Sequence, residues 1–100
     1  MEISIVPLGT NTPSVSRYVA SCVDILIGRG DIRYELTAMG TIIECENMET
    51  LMRIAQEMHA RVFSRGVQRV VTTIKIDDRR DKPLSIEGKV KSVRQNMPKT

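Results

Sequence analysis

From Tyr34 to Glu46 the chain reads Y-E-L-T-A-M-G-T-I-I-E-C-E, two short alternating runs broken at Met39-Gly40. A period of two over so few residues marks half-buried strands, so the segment is a β-hairpin or a sharply turned strand pair. Two strands in direct succession, with helical patterns on both sides, leave few ways to close a small sheet. Within this segment Glu44 follows Ile42 and Ile43, with Thr41, Tyr34 and Glu35 nearby. A carboxylate in an apolar strand needs a partner or water. Glu44 therefore points out of a half-solvated sheet, pairs with a basic residue in a contact between copies, or faces a ligand.

The flanking segments supply the rest of the sheet. Glu2 to Leu8 alternates as a first strand, with Ile3 and Ile5 on one side, and Pro7 must interrupt its pairing on one side because proline has no N–H to donate. The following Gly9-Thr10-Asn11-Thr12-Pro13 is turn chemistry whose small polar groups suit a ligand rim. Ser14 to Ile27 carries Val15, Tyr18, Val19, Cys22, Val23, Leu26 and Ile27 at helical spacing, which predicts a helix capped by Ser14, or by Thr12 with Pro13 at its first position. Ser16 and Arg17 fall near its start, where unpaired N–H groups favour an anion.

A second helix opens at Asn47 or Glu49 and runs to about Arg65, with Leu51, Ala55, Met58 and Val62 on its apolar face. Val67 to Asp77 then alternates as a long strand. Val70, Thr72, Ile74 and Ile76 share one face, and Arg69, Val71, Thr73 and Lys75 the other. After a charged turn, Ser85 caps a short helix carrying Ile86, Val90 and Val93. Right-handed crossovers turn this β-α-β-β-α-β order into an α+β, ferredoxin-like sandwich with a short C-terminal helix. One sheet face stays open and apolar, and self-association is its simplest cover.

The 100 residues, 41% of them hydrophobic, suit a single domain spanning 1-100. No apolar run approaches about 18 residues and no signal-peptide pattern opens the chain, so a cytoplasmic protein is expected, without membrane partners. Cys22 and Cys45 stand too far apart for a metal or redox motif and read as buried small hydrophobes, and His59 is the only histidine, beside a helix stripe. No metal site, cofactor or catalytic residue set is expected. The basic excess is local: residues 79–100 hold seven Lys/Arg against two Asp/Glu, a surface open to phosphate or simply solvated.

The segments P-L-G-T, Y-E-L, M-G-T-I-I-E and R-V-V-T-T-I-K-I-D-D-R-R-D-K, followed by K-V-x-S-V, resemble the small thiamine-binding protein family across essentially the whole chain. The resemblance implies a homo-oligomer, commonly a homotetramer of dimers whose sheets join. It also implies binding of thiamine or its hydroxymethylpyrimidine part without chemistry, for sensing, storage or delivery. The matching positions are Thr10, Tyr34, Thr41, Glu44, Thr73 and Lys75, with Ser14 and Ser16 as additions at the start of the first helix. Glu44 and Thr41 would read the edge of the aminopyrimidine and Tyr34 its face. A phosphorylated form would seek Lys75 or the turn at Arg79-Arg80.

Two other classes compete. An enzyme of thiamine-precursor metabolism would have to use Glu44 with Lys75, since neither cysteine has an evident base and His59 stands alone. An RNA-binding module shares the element order but stacks bases on aromatics, and only Tyr18, Tyr34 and Phe63 are available, two of them on expected helices. Nucleic acid is therefore not expected as a partner.

Overall fold

The computed structural model describes residues 1–11 and 14–98. Its elements are β1 (Glu2–Leu8), α1 (Ser16–Val23) continued by a 3-10 turn (Asp24–Leu26), β2 (Arg33–Leu36), β3 (Thr41–Glu44), α2 (Met48–Phe63), β4 (Arg69–Lys75) and α3 (Ile86–Asn96). The four strands form one antiparallel sheet in the order β2-β3-β1-β4. This is the ferredoxin-like α+β arrangement that the element order implies.

Strand β1 lies inside the sheet and sets its two faces. It pairs with β4 along its whole length, from Glu2↔Lys75 to Leu8↔Arg69, but with β3 only at Glu2↔Ile42 and Ile3↔Thr41. Pro7 falls beyond the β3 contact, where its missing N–H breaks no ladder on that side. Ile3 and Ile5 meet Ile43, Cys22, Leu26 and the α2 residues Leu51, Ile54, Ala55, Met58 and Val62 in one buried cluster. Burying each large aliphatic side chain here contributes about 1.5–3 kcal/mol.

Helix α2 follows the sequence pattern closely, because Asn47 caps it by accepting the Thr50 N–H at 3.2 Å. Helix α1 is shorter than the periodicity predicts. Val15, not Ser14, is its N-cap residue; the Val15 carbonyl accepts the N–H groups of Tyr18 and Val19, while the Ser14 hydroxyl stands 3.2 Å from that of Ser16. At the other end Asp24–Leu26 tightens into the 3-10 turn and Gly28 leaves it with φ 80°. The alternative cap at Thr12-Pro13 lies outside the described residues.

The β2–β3 turn is closed by Thr37, whose N–H donates to the Gly40 carbonyl at 2.9 Å and whose hydroxyl accepts the Gly40 N–H at 3.1 Å. A Cβ on Gly40 would stand 3.0 Å from the Ile3 carbonyl oxygen, so a larger residue would have to push the turn and β1 apart by a few tenths of an ångström.

Helix α3 has the expected Ser85 cap, which accepts the Gly88 N–H at 2.9 Å, but buries no residue. Val90, Val93 and Met97 are exposed, and polar contacts hold the helix: Lys89 with Asp77 and Arg33 with Glu87. The side of the sheet away from α1 and α2 likewise leaves Val6, Leu8 and Val71 exposed.

Two outcomes follow from this packing. Ile54→Ala, at a site with 0% exposure, should cost about 2–5 kcal/mol in denaturant unfolding, whereas Val90→Ala should change the stability of an isolated monomer by less than about 0.5 kcal/mol. The Asp77 carboxyl is held below its ordinary value by its hydrogen bond to Lys89 and then by the Lys89 charge. The unfolded chain thus binds this proton more readily than the folded one. The attachment is complete above the unfolded value of about 3.9 and is lost as pH falls through the lower folded value. Hydrogen exchange should show Ile86–Asn96 loosening below about pH 4, ahead of α2.

Candidate functional site

The side-chain period of a strand decides which expected site residues can meet. Tyr34 pairs with Ile43 and Leu36 with Thr41, so Tyr34 and Thr41 point to the helix side. Arg33 pairs with Glu44 and Glu35 with Ile42, so these four point to the open side. Thr41 and Glu44 are three residues apart in one strand and must lie on opposite faces. The expectation that both read one ligand edge, with Tyr34 on its face, is therefore corrected within a single chain.

The expected residues do not gather in one place. Thr10, half-buried, follows the far end of β1, roughly 20 Å of strand away from Glu44's end of the sheet, and the exposed Ser14 and Ser16 flank Val15 at the start of α1. Thr41, 3% exposed, lines a pocket of about 300 Å³ with Val15, Val19, Leu36 and Met39, between α1 and the β2–β3 turn. Thr73 and Lys75 lie on the open side of β4, paired with Ser4 and Glu2. Lys75 and Glu44 form no ion pair with each other.

Glu44 borders a much larger groove, about 910 Å³, at the end of the sheet where four segments converge. Its walls are 30–33 entering β2, 44–48 with Thr50 and Leu51 joining β3 to α2, and 76–80 with Pro83 and Leu84 after β4. The start of β1 closes the corner: the Met1 ammonium donates to the Ile43 carbonyl at 2.8 Å, and the Ile43 N–H donates to the Met1 carbonyl at 2.7 Å. Burial holds this amine below its ordinary value, against the opposing pull of Asp77.

The Glu44 carboxylate is the unusual feature of this groove. Its Oε2 is buried without any hydrogen-bond partner. Arg33 stands across from it in register, yet the Arg33 guanidinium reaches Glu87 of α3, at 2.9 and 3.2 Å to the two oxygens. A buried carboxylate oxygen with no donor costs more than a neutral unsatisfied group, which is itself worth about 1–3 kcal/mol. The arrangement suits a ligand that brings a donor or a positive charge.

The aspartates of the groove and the two arginines after β4 are paired. Arg29 forks onto Asp31, Arg79 onto Asp81 and Arg80 onto Asp78. Cys45 is half-buried rather than fully enclosed, its sulfur 3.5 Å from the Asn47 N–H, whereas Cys22 is 2% exposed and donates to the Met58 carbonyl at 3.3 Å. Burial pushes the Cys22 thiol up, the opposite of a nucleophile. The sequence did not single out Arg33 as a groove residue. Counting the register back from the Thr37–Gly40 turn would have placed it across from Glu44.

Among the described residues, no cluster of three or more His, Cys, Asp or Glu could hold a metal, and no helix is long and apolar enough to cross a membrane.

Comparison with known proteins bears on the same chain length. It is 46% identical to the UPF0045 protein YqgV of Bacillus subtilis, over 96% of this chain and 94% of that one. A UPF0045 protein of Methanothermobacter thermautotrophicus is 42% identical, with 96% of each covered. The crystal structure of MJ1052 from Methanocaldococcus jannaschii superposes with a TM-score of 0.83 at 37% identity, covering 94% of this chain and 93% of that one. A domain of unknown function from Bacillus cereus superposes at 0.75, with 28% identity over 89% and 83%. Residues 1–94 match the family described as thiamine-binding protein, and with relatives this similar over nearly their full lengths, the chain belongs to that family.

Proposed function

We propose that this protein binds thiamine or its hydroxymethylpyrimidine part reversibly, without chemical turnover, as a homo-oligomer, and that Glu44 is the principal polar contact. The observation that carries this reading is the unpaired Oε2 of Glu44 beside the 910 Å³ groove. The exocyclic amine of an aminopyrimidine can donate to it, and a thiazolium adds a favourable positive charge. Family membership supports a small-molecule ligand.

Binding is favoured over catalysis by the composition of the groove. Glu44 and Lys75 are not paired, Lys75 does not line the groove, and the Cys45 sulfur is engaged locally with Asn47. A base-stacking surface is not supported either. Tyr18 lies on α1, Phe63 on α2, and Tyr34 faces the helix side, so among the described residues no aromatic side chain occupies the open sheet face.

Association of copies is supported by the exposed Val6, Leu8 and Val71 on that open face and by the exposed stripe of α3. Light scattering should give a mass above the 11.3 kDa of one chain, with a tetramer as the expected state; a monomer at micromolar concentration would remove the oligomer from this proposal. Val90→Asp should lower that mass if α3 is a contact.

Glu44→Gln preserves shape and removes charge. Calorimetry should show weaker thiamine binding by about 1.5–3 kcal/mol, about tenfold or more. Thr41→Val, on the opposite face, should leave thiamine affinity within about twofold while acting on core packing. The reverse result, Thr41→Val weakening binding and Glu44→Gln not, would move the ligand to the 300 Å³ pocket. A Glu44→Gln variant with altered mass but unchanged affinity would assign Glu44 to a subunit contact.

A further inference from the structure

We infer that the preferred ligand of the Glu44 groove is a phosphorylated one, with Arg79 and Arg80 receiving the phosphate while Glu44 takes the donor or cationic end. This rests on the groove being the ligand site.

The groove is chemically two-sided. Glu44 contributes an unsatisfied negative oxygen, and the segment after β4 contributes two adjacent guanidinium groups. A ligand that is only a donor or a cation satisfies Glu44 and meets like charge from the arginines. One bearing both a donor end and an anion satisfies both walls. The volume of about 910 Å³ also exceeds what one aromatic ring needs, within the usual range of about 300–1,000 Å³ for small-molecule sites.

The present partners of Arg79 and Arg80 are easily exchanged. Each pairs with an aspartate two positions away on the same exposed turn, and 76–84 contains no helix or strand. Exposed pairs of this kind hold weakly, whereas the fork of a guanidinium matches two phosphate oxygens and gains from the second negative charge. The remaining carboxylates of the lining are accounted for: Asp31 is neutralised by Arg29 and Asp77 by Lys89, Asp78 is the partner that Arg80 would leave, and Glu46 is exposed. Arg33 is committed to Glu87. Arg79 and Arg80 are thus the groove cations whose only partners are carboxylates of their own turn.

Calorimetric titration of the full chain with thiamine, thiamine monophosphate and inorganic phosphate tests this in the wild type, Glu44→Gln and Arg79→Gln/Arg80→Gln. The wild type should bind thiamine monophosphate about tenfold or more tightly than thiamine. The arginine pair variant should lose that preference, with thiamine affinity held or raised because the like charge is gone, and Glu44→Gln should weaken both organic ligands. The preference should shrink with added salt. Equal wild-type affinities, or a preference that survives loss of both arginines, would overturn the inference and leave thiamine binding intact. Absence of binding by either organic ligand overturns the thiamine reading itself, and inorganic phosphate binding alone would mark an isolated anion site. If the double variant changes mass or unfolds, Arg80→Gln alone serves, since that side chain is 85% exposed, and it should reduce the preference.

Discussion

The placement of β1 between β3 and β4 is the constraint on which the rest of the structure depends. Its alternation sends Ile3 and Ile5 into the helices, and its short contact with β3 fixes the register Ile3↔Thr41. Once that register is set, parity assigns every other residue of β3: Thr41 and Ile43 go inward, and Ile42 and Glu44 go outward. A slip of one residue would put Glu44 in the core and Ile43 outside, at the cost of a buried charge and a lost aliphatic contact. Gly40 supports this register, because a residue without Cβ lets the turn sit against the Ile3 carbonyl with no shift of either.

The same register creates the feature that bears on function. Opposite charges directly across an antiparallel pair ordinarily attract, and Arg33 and Glu44 occupy such positions. Arg33 instead holds Glu87, which ties the sheet to α3 and leaves one Glu44 oxygen buried and unpaired. The Arg33–Glu87 pair is exposed and contributes little by itself, about 0–1 kcal/mol. Its larger consequence is that the Arg33 guanidinium is spent on Glu87 and not on Glu44.

Helix α3 and the open sheet face share a second property: each presents exposed apolar side chains, Val90 and Val93 on the one and Val6, Leu8 and Val71 on the other. The radius of gyration, 15.4 Å, exceeds the roughly 13 Å of a compact domain of this length, and α3 buries no residue. In a chain of 100 residues these are the surfaces on which the proposed association rests.

Local pattern in the sequence determined the fold. The strands at Glu2–Leu8 and Arg69–Lys75, the hairpin around Gly40, and the caps at Asn47 and Ser85 all follow from alternation, turn chemistry and side-chain oxygens acting on nearby backbone, which are short-range effects. The shortened α1 was not legible, because Ser14 is a good cap by type but its hydroxyl lies against that of Ser16. Glu44 was legible as an anomaly, an acid in an apolar strand. Its neighbours were not. Which cations reach it depends on the pairing of β2 with β3 and on the path of the chain after β4, and both are set by contacts between residues far apart in sequence. Tertiary structure alone therefore decided that Thr41 and Tyr34 face the helices, that Arg33 turns to Glu87, and that Arg79 and Arg80 share a groove with Glu44.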